Sequence, residues 1–490
     1  MSSIKRVLLI GIDSLIFNRT NMGGYQLDVC PTLKKLSDEG INCANNYSHS
    51  GPTQFSMPSV FTSTYPLDCN GYDRGIIDRP NSLAEVLSQE GFKTFGYLPD
   101  PWISESGGYN RGFDNTVDCY DLDLVWSNAS IYIDYFNERL ANGYISRKEW
   151  ELLFLDHVTK LLDQTKIYCK KAIHESGHFN NDEKYKDIYK YNYTNILESI
   201  PDNINNFKDA LNALDSCSDL YSFPRKIKPI FHKNFTSADW MVDGILERLD
   251  NEKCSKTMFF VFLSDLHELN TCHKYGSYLK VYANKLLSSI PGSGRYRRIF
   301  KYFSKDYRFS TKSILYDASL KYIDNSLDRL IQGLKNKKML DETLIVIFSD
   351  HGDSMEYDPD IVASFKEDYL KVPMIFWTSD MESRNISTVT SLIDLAPTIL
   401  DLLNIEKPDT YKGISVFDKR IISRKYILHE NAGKGPCDIH NKNLNICLRD
   451  SSAKLWTIND STDGWKQDKI KDRMRSIKKN ANKINNLNIR

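Results

Sequence analysis

Polar residues that could bind a metal ion follow three apolar segments of the sequence. They are Asp13 after Arg6–Ile12, Asp265 and His267 after Met258–Leu263, and Asp350 and His351 after Leu344–Phe348. Each residue alone has an ordinary structural explanation, as a helix cap or a hydrogen-bonded core residue. If the three segments are strands of one α/β sheet, however, the polar residues lie where such sheets bind ligands, beyond the carboxyl ends of the strands. Carboxylates and imidazole together suit a hard or borderline divalent cation.

A hydroxyl-rich segment, HSGPTQFSMPSVFTSTYP at residues 49–66, is the second feature that could do chemistry. Its stretch Ser56–Ser59 leads directly into Val60 and Phe61, as the start of a helix does. Backbone N–H groups at a helix N-terminus favour anions. A nearby metal ion would lower the pKa of a serine hydroxyl and neutralise charge on a phosphoryl or sulfuryl group. One of these hydroxyls is therefore a candidate nucleophile, although a plain serine-rich loop is the simpler interpretation.

Alternating apolar and amphipathic segments predict the elements that would position these groups. The segment Arg6–Ile12 is almost continuously apolar, as expected of a parallel strand covered on both faces. Further strands are predicted at 93–98, 258–263 and 344–348, and helices at 31–40, 83–91, 313–335 and 393–403. In the last helix, Pro397 either kinks the helix or opens its main part. This order is typical of a doubly wound parallel sheet.

The composition changes at residues 124–251, which are polar, rich in Lys, Asn and Tyr, and helical in their spacing. We interpret them as a helical insertion that could cap the active-site face. The insertion divides a catalytic α/β domain into residues 1–123 and 252–414. A small C-terminal subdomain is predicted at 415–464, and the basic tail at 465–490 is interpreted as a solvated helix or a disordered end.

The overall composition argues against several classes of protein. Lysine and arginine together number 64 among 490 residues, and so do aspartate and glutamate. The chain therefore has no excess positive charge that would indicate nucleic-acid binding. No segment is apolar over a length that would span a membrane. The N-terminal apolar run is short, ends at Asp13 and lacks a small-residue cleavage site, so we interpret it as a strand rather than a signal peptide. Ten cysteines without CxxC pairs indicate reduced thiols and a cytoplasmic protein, whose oligomeric state stays open.

An ordered set of segments resembles the sulfatase family, which belongs to the alkaline phosphatase superfamily of metal-dependent ester hydrolases and transferases. The segments are VLLIGIDSL, PTLKKLSDEGI, SMPSVFTSTYP, SLAEVLSQEGFKTFGY, RGFD, YDASLKYIDNSLDRLIQGL, DETLIVIFSDHGD, KVPMIFW and SLIDLAPTILDLL. Single pieces such as SDHG are weak signals, but the set covers residues 4 to about 115 and 235 to about 460. The resemblance implies a central mixed sheet flanked by helices, with a small C-terminal α+β subdomain.

The resemblance also implies a ligand set and a nucleophile. The metal ligands would be Asp13, Ser56, Asp350 and His351. Ser56 falls where the family has its nucleophile, two residues before the proline of a C/S/T-x-P-S pattern. Thr53 and Ser59 are rival nucleophiles, and Ser59 is better explained as a helix cap, since hydroxyls cap helices well.

Other positions are matched to the handling of substrate. His267 resembles a histidine that contacts the anion or the leaving group, so we predict a catalytic role for it. The predicted substrate-binding residues are Asp265, His273, His429 and Lys434. Asp265 and His273 could alternatively bind a second metal ion.

Three departures from the family pattern bear on the reaction. Val60 stands where the modification signal for formylglycine requires an arginine, and Ser14 stands where sulfatases have a second aspartate. The segment Leu98–Trp102 lacks the Lys-x-His pair that grips sulfate. What remains resembles the phosphotransferase and phosphodiesterase branch of the family, which uses an unmodified Ser or Thr.

We therefore expect a metal-dependent hydrolase or transferase that acts on a phosphate ester, mono- or diester, through unmodified Ser56. The cofactor would be a divalent ion (Mn, Zn, Mg or Ca), and the substrate a small-molecule or glycan ester. One alternative is a true sulfatase with formylglycine at position 56. Another is a degenerate sulfatase-like binding protein.

Overall fold

The structure is a computed structural model of the chain. It describes residues 4–66, 68–69, 75–104, 107–118, 145–179, 193–201, 203–216, 237–252, 256–267, 311–355, 366–422, 424, 426–431, 445–450 and 455–459, with a few single positions between 133 and 143. The predicted basic tail at 465–490 lies outside the described residues.

An eight-stranded sheet forms the centre of the fold. The described strands of all three sheets, numbered along the chain, are β1 (Arg6–Ile12), β2 (Ile41–Cys43), β3 (Asn46–Tyr47), β4 (Lys93–Leu98), β5 (Asn115–Asp118), β6 (Thr257–Leu263), β7 (Thr343–Phe348), β8 (Met374–Trp377), β9 (Arg384–Ile386), β10 (Thr390–Ser391), β11 (Tyr426–Asn431), β12 (Asn445–Asp450) and β13 (Leu455–Asn459). The order across the main sheet is β5-β4-β6-β1-β7-β8-β2-β9. Strand β8 runs antiparallel to β7 and β2, and the other neighbours are parallel. The predicted central mixed sheet is confirmed, whereas a fully parallel sheet is wrong because of β8.

Helices cover both faces of this sheet. They are α1 (Pro31–Glu39), α2 (Thr53–Thr62), α3 (Leu83–Gln89), α4 (Arg147–Phe179), α5 (Tyr193–Ser199), α6 (Phe207–Ser216), α7 (Ala238–Asn251), α8 (Thr311–Asn336), α9 (Glu367–Leu370), α10 (Leu395–Leu402) and α11 (Lys419–Ile422). Pro397 is the third residue of α10, so it opens the main part of that helix. At this position its missing N–H removes no intrahelical hydrogen bond.

Side chains of each central strand alternate between two apolar clusters. In β1, Val7 and Leu9 join the cluster formed with α2, α3 and α10, which we call the α2 face. Leu8 and Ile10 join the cluster formed with α1, α7 and α8, which we call the α8 face. Successive side chains of a strand point to opposite faces of the sheet. The same alternation predicts on which face the side chain of a residue just after the strand lies.

The region predicted as an insertion contains two kinds of helix. Helices α4, α5 and α6 share a separate apolar cluster that includes Phe154 and Leu161. Helix α7 instead packs on the main sheet through Met241, Val242 and Ile245. The predicted insertion at 124–251 thus includes one helix, α7, whose apolar face is buried against the main sheet.

A three-stranded antiparallel sheet, β11-β12-β13, falls within the predicted C-terminal subdomain. Glu430 of β11 donates its backbone N–H to the carbonyl of His49 at 2.8 Å, which ties this small sheet to the segment before α2. In the part of the chain that the structure describes, no helix has both the length and the apolar character needed to cross a bilayer.

Candidate active site

Asp13, Asp350 and His351 form one buried cluster where β1 and β7 end. These strands pair in parallel with Gly11 beside Phe348, so the residues that follow leave the sheet together. One ligand atom from each cluster residue lies within 4.8 Å of the others. His351 Nε2 is 3.3 Å from Asp350 Oδ2 and 3.7 Å from Asp13 Oδ1. The structure thus brings three of the predicted metal ligands together.

The backbone around β7 orients the imidazole of His351. Its Nδ1 lies 2.6 Å from the carbonyl oxygen of Gly352. Because a carbonyl can only accept, Nδ1 carries the proton, and in a neutral ring Nε2 presents its lone pair to the two carboxylates. Gly352 is required here, since a Cβ at this position would lie 1.9 Å from the carbonyl oxygen of Asp368.

Ser14 braces both carboxylates of the cluster. Its hydroxyl donates to Asp13 Oδ1 at 2.8 Å, and its backbone N–H donates to Asp350 Oδ1 at 3.3 Å. Ser14 has a φ of 60°, in the left-handed region that is uncommon for a non-glycine residue. The Tyr316 hydroxyl holds this conformation by donating to the Ser14 carbonyl at 2.8 Å. Ser14 is therefore a support for both carboxylates.

The electrostatics of the cluster favour a bound cation. Burial, and then the charge of Asp350, raise the pKa of Asp13 well above its ordinary value. Among the described residues, Asp350 Oδ2 is fully buried and has no hydrogen-bond partner. An unsatisfied buried carboxylate oxygen is costly, and a divalent cation would satisfy it. Two carboxylates and one imidazole therefore fit a divalent metal ion.

Helix α2 brings a hydroxyl to this cluster, and that hydroxyl belongs to Thr53. Thr53 is the first residue of α2 and follows Pro52, whose side chain provides no cap. Its Oγ1 lies 3.3 Å from His351 Nε2. The Gly51–Pro52 pair that precedes Thr53 is the sequence signal for this helix start, because Gly and Pro interrupt regular structure.

Ser56 lies one turn farther into the same helix. Its hydroxyl bonds to the carbonyl oxygens of Thr53 at 3.2 Å and Pro52 at 3.4 Å, and no hydrogen bond joins it to the three cluster residues. Its exposed fraction is 0 %, compared with 6 % for Thr53. The geometry does not support Ser56 as nucleophile or metal ligand, because α2 begins three residues earlier than the sequence suggested. For the same reason Ser59 lies inside the helix and does not cap it.

Asp265 is turned away from the cluster, and its predicted role in substrate binding is not supported. Its carboxylate accepts the backbone N–H of Ala238 at 3.1 Å, at the first residue of α7. In β6, Val261 and Leu263 belong to the α8 face, and Asp265 continues that alternation. Asp13 and Asp350 continue the alternation of the opposite face, which is the sequence signal that separates them from Asp265.

His267 and Asp100 lie at the same edge of the sheet. His267 follows β6 and is exposed. Asp100 follows β4, and desolvation raises its pKa to about 6, while the Trp102 N–H and then His267 act to lower it. Asp350 raises the pKa of Asp100 further, so Asp100 senses the charge of the cluster. Our prediction from the sequence did not include Asp100, although it also ends a strand.

The remaining predicted residues do not form part of this cluster. His429 is fully buried, with Nδ1 2.9 Å from the Ser48 carbonyl oxygen and Nε2 accepting from Arg449 Nε at 3.2 Å. One ring nitrogen thus links β11 to the chain before α2 and the other links it to β12, so a role in substrate binding is not supported. His273 and Lys434 lie outside the described residues.

Comparisons with known proteins agree with this architecture. The family model described as Sulfatase matches residues 5–405 of the chain. An uncharacterised sulfatase, YidJ, of Escherichia coli is 32% identical over 104 residues, which are 21% of this chain and 21% of that protein. An N-acetylglucosamine-6-O-sulfatase of Bacteroides thetaiotaomicron is 22% identical over 430 residues, 85% of this chain and 69% of that protein. The alignment with YidJ thus spans only about a fifth of that relative's length.

A solved structure shares the fold. The phosphonate monoester hydrolase of Agrobacterium radiobacter superimposes with a TM-score of 0.53 and 13% sequence identity, over 93% of this chain and 89% of that one. At this level of identity the similarity shows the architecture and no more.

Proposed function

The chain belongs to the sulfatase family, within the alkaline phosphatase superfamily, and we propose that it is a metal-dependent hydrolase or transferase of phosphate esters that uses Thr53 as its nucleophile. One observation carries the proposal: Thr53 Oγ1 lies 3.3 Å from His351 Nε2, beside the two carboxylates of the cluster. No other hydroxyl in the segment 49–66 makes a described hydrogen bond to a cluster residue. Sequence reasoning assigned the nucleophile to Ser56, one helical turn away.

Asp13, Asp350 and His351 would hold the divalent cation. A cation bound there lowers the pKa of an adjacent hydroxyl and neutralises negative charge on phosphoryl oxygens. In the reaction, Thr53 Oγ1 forms a bond to phosphorus while the bond from phosphorus to the ester oxygen breaks. The Thr53 hydroxyl would give up its proton to solvent, because the bound cation lowers its pKa. A monoester would leave a phosphothreonine, and a diester would leave a phosphothreonine that keeps the second ester group. Water or an acceptor hydroxyl would then resolve this intermediate. His267, exposed at the same edge, would donate a proton to the leaving oxygen or bind the anion.

The N-terminus of α2 supports this placement of the anion. No side chain caps the helix start, and Thr53 is its first residue. The positive end of the helix dipole lies at this first turn, and it stabilises a negatively charged phosphoryl group placed beside it. An anion held at Thr53 would therefore contact both the helix N-terminus and the cluster.

Sulfate ester hydrolysis is the second candidate, because the curated relatives that match are sulfatases. Formylglycine is made from Cys or Ser, whereas the hydroxyl at the cluster is that of a threonine. Ser56, the alternative site of modification, is fully buried and bonded within its own helix. These observations favour a phosphate ester and an unmodified hydroxyl. The buried, unpartnered oxygen of Asp350 likewise argues for a functional metal site rather than a degenerate binding protein.

The test compares Thr53 and Ser56 variants on aryl phosphate monoesters, aryl phosphate diesters and aryl sulfates, each with Mn, Zn, Mg and Ca. We expect Thr53→Ala to lower turnover of the preferred phosphate ester by at least about a thousandfold, because it removes the nucleophile. Thr53→Ser should keep part of the activity, and Ser56→Ala should stay within about tenfold of the natural chain. Full activity in Thr53→Ala, or a preference for aryl sulfates, would overturn the proposal.

A further inference from the structure

We propose that Asp100 determines the charge of the preferred substrate, by disfavouring esters that carry two negative charges relative to esters that carry one. The inference rests on the proposed function and makes it more specific. Phosphate diesters carry one negative charge, and phosphate monoesters carry two at pH 8, since their second pKa is about 6. Asp100 would thus direct the site toward phosphodiesters.

The fold places Asp100 at the site. In β4, Leu98 belongs to the α2 face, and Asp100 follows two residues later, on the face from which Asp13 and Asp350 emerge. Asp100 begins a one-turn 3-10 helix at Pro101–Ile103 and accepts the Trp102 N–H at 2.8 Å. This turn packs against α2, the helix whose first residue is Thr53.

The charges at the site also identify Asp100 as a neighbour of the cluster. Asp100 acts to raise the pKa of Asp13, and Asp350 acts to raise that of Asp100. The other titratable side chains that most affect these two groups are His351 and His267. Among the described residues, no lysine or arginine is one of these main influences on the pKa of Asp13 or Asp100. The segment Leu98–Trp102, where the family resemblance predicts two cationic side chains, instead provides a carboxylate.

A charge count then gives the direction of the effect. Asp13, Asp350 and Asp100 together contribute three negative charges when ionised, and a divalent cation neutralises two. The remaining negative charge repels an incoming anion, and it repels a dianion about twice as strongly as a monoanion. A nearby like charge disfavours the charged form of a group, commonly by about one unit of pKa, which is a factor of ten in an equilibrium constant. We therefore expect Asp100 to weaken the binding of a dianion, relative to a monoanion, by about tenfold or more.

The alternative explanation is that Asp100 only caps the 3-10 turn. Asparagine and serine also cap helices well, so Asp100→Asn and Asp100→Ser keep the cap while removing the charge. A matched control is an aspartate that contacts the same strand. Asp114 accepts the backbone N–H of Thr94 at 2.8 Å, at the opposite end of β4 from the site. Asp114→Asn therefore makes the same change of charge and a similar change of hydrogen bond far from the cluster.

The experiment measures the dissociation constants of methyl phosphate and dimethyl phosphate by calorimetry, at pH 8, for the full chain saturated with manganese. Asp100→Asn and Asp100→Ser should each strengthen the binding of methyl phosphate about tenfold more than that of dimethyl phosphate. Asp114→Asn should leave the ratio of the two constants unchanged. Because binding needs no turnover, a lack of activity toward all phosphate esters would overturn the proposed function without affecting this result.

Steady-state kinetics provide the second readout. The ratio of kcat/KM for an aryl phosphate monoester to that for a diester should rise about tenfold in both Asp100 variants. Because both substrates are assayed with the same preparation, this ratio does not depend on the fraction of protein that is folded. The inference is wrong if both ratios stay within about twofold of the natural chain in Asp100→Asn and Asp100→Ser. It is equally wrong if Asp114→Asn shifts them as much, since the effect would then be one of overall charge.

Discussion

Thr53 Oγ1 and His351 Nε2 lie 3.3 Å apart although 298 residues separate them in the sequence. Thr53 begins α2, and His351 follows the end of β7. Packing of α2 on the sheet brings the positive end of a helix dipole to a cluster with two carboxylates. The Thr53 hydroxyl, the proposed cation site and the proposed anion site therefore coincide at one point, as attack on a phosphate ester would require.

The first prediction concerns metal binding by the cluster. Asp350→Asn should weaken binding of manganese or zinc by about tenfold or more, because it removes one charged ligand. Metal binding is measured by equilibrium dialysis, with Asp265→Asn as the matched control. Asp265 is also a buried aspartate that follows a strand, but its carboxylate binds the first residue of α7. With the ion at a hundred times its dissociation constant, the natural chain should gain about 2.7 kcal/mol in its free energy of unfolding. An unchanged dissociation constant for the metal ion in Asp350→Asn would contradict the proposal that Asp350 is a metal ligand.

The second prediction concerns covalent modification near the start of α2. The peptide that contains Thr53 and Ser56 should have its unmodified mass when the protein is isolated from cells. Oxidation of Ser56 to formylglycine would instead remove two hydrogens and lower the mass by about 2 daltons. Mass spectrometry of the digested protein decides between the two. A lowered mass assigned to Ser56 by fragmentation would revive the sulfatase alternative.

A third prediction follows from the burial of His49. Desolvation lowers the pKa of His49 to about 4, although the Leu428 carbonyl at 2.6 Å opposes this shift. In the unfolded chain the pKa is about 6.5, so between pH 6.5 and pH 4 the unfolded state binds a proton that the folded state rejects. The stabilising contribution is thus fully present above pH 6.5 and is lost as the pH falls toward 4. Between pH 7 and pH 5 the loss is about 2 kcal/mol.

Urea unfolding at these two pH values measures the effect of His49. His49→Asn keeps a donor for the Leu428 carbonyl but does not titrate in this range. Its free energy of unfolding should therefore fall less between pH 7 and pH 5, by about 2 kcal/mol, than that of the natural chain. Equal falls in the two proteins would show that His49 is not held neutral by burial.

The fourth prediction distinguishes Asp265, a structural aspartate, from the aspartates of the proposed metal site. Asp265→Ala removes the acceptor for the Ala238 N–H at the start of α7 and should cost about 1 kcal/mol of stability. Turnover and KM measured on the folded fraction should not change. A rise in KM with unchanged stability would instead restore the substrate-binding role that the sequence suggested.

Much of the fold could be predicted from the sequence because the relevant signals are local. The continuous apolar segment Arg6–Ile12 forms a strand buried on both faces, as predicted. Pro31 opens α1 and Gly40 follows its end, as the sequence punctuation indicated. Asp13, Asp350 and His351 converge because parallel strands end at the same edge of a sheet, a consequence of strand direction that short segments already imply.

Only the tertiary structure shows which hydroxyl and which further carboxylate lie near the cluster of Asp13, Asp350 and His351. Thr53 and Ser56 differ by one helical turn, and their roles depend on where Pro52 starts the helix and on how α2 packs over His351. Asp265 and Asp100 both follow apolar strands, yet Asp265 caps α7 on one face, whereas Asp100 senses the cluster on the other. Local sequence sets the secondary structure, because its hydrogen bonds and side-chain periodicity are short-range. The contacts of the site depend on packing between distant segments, which no local pattern encodes.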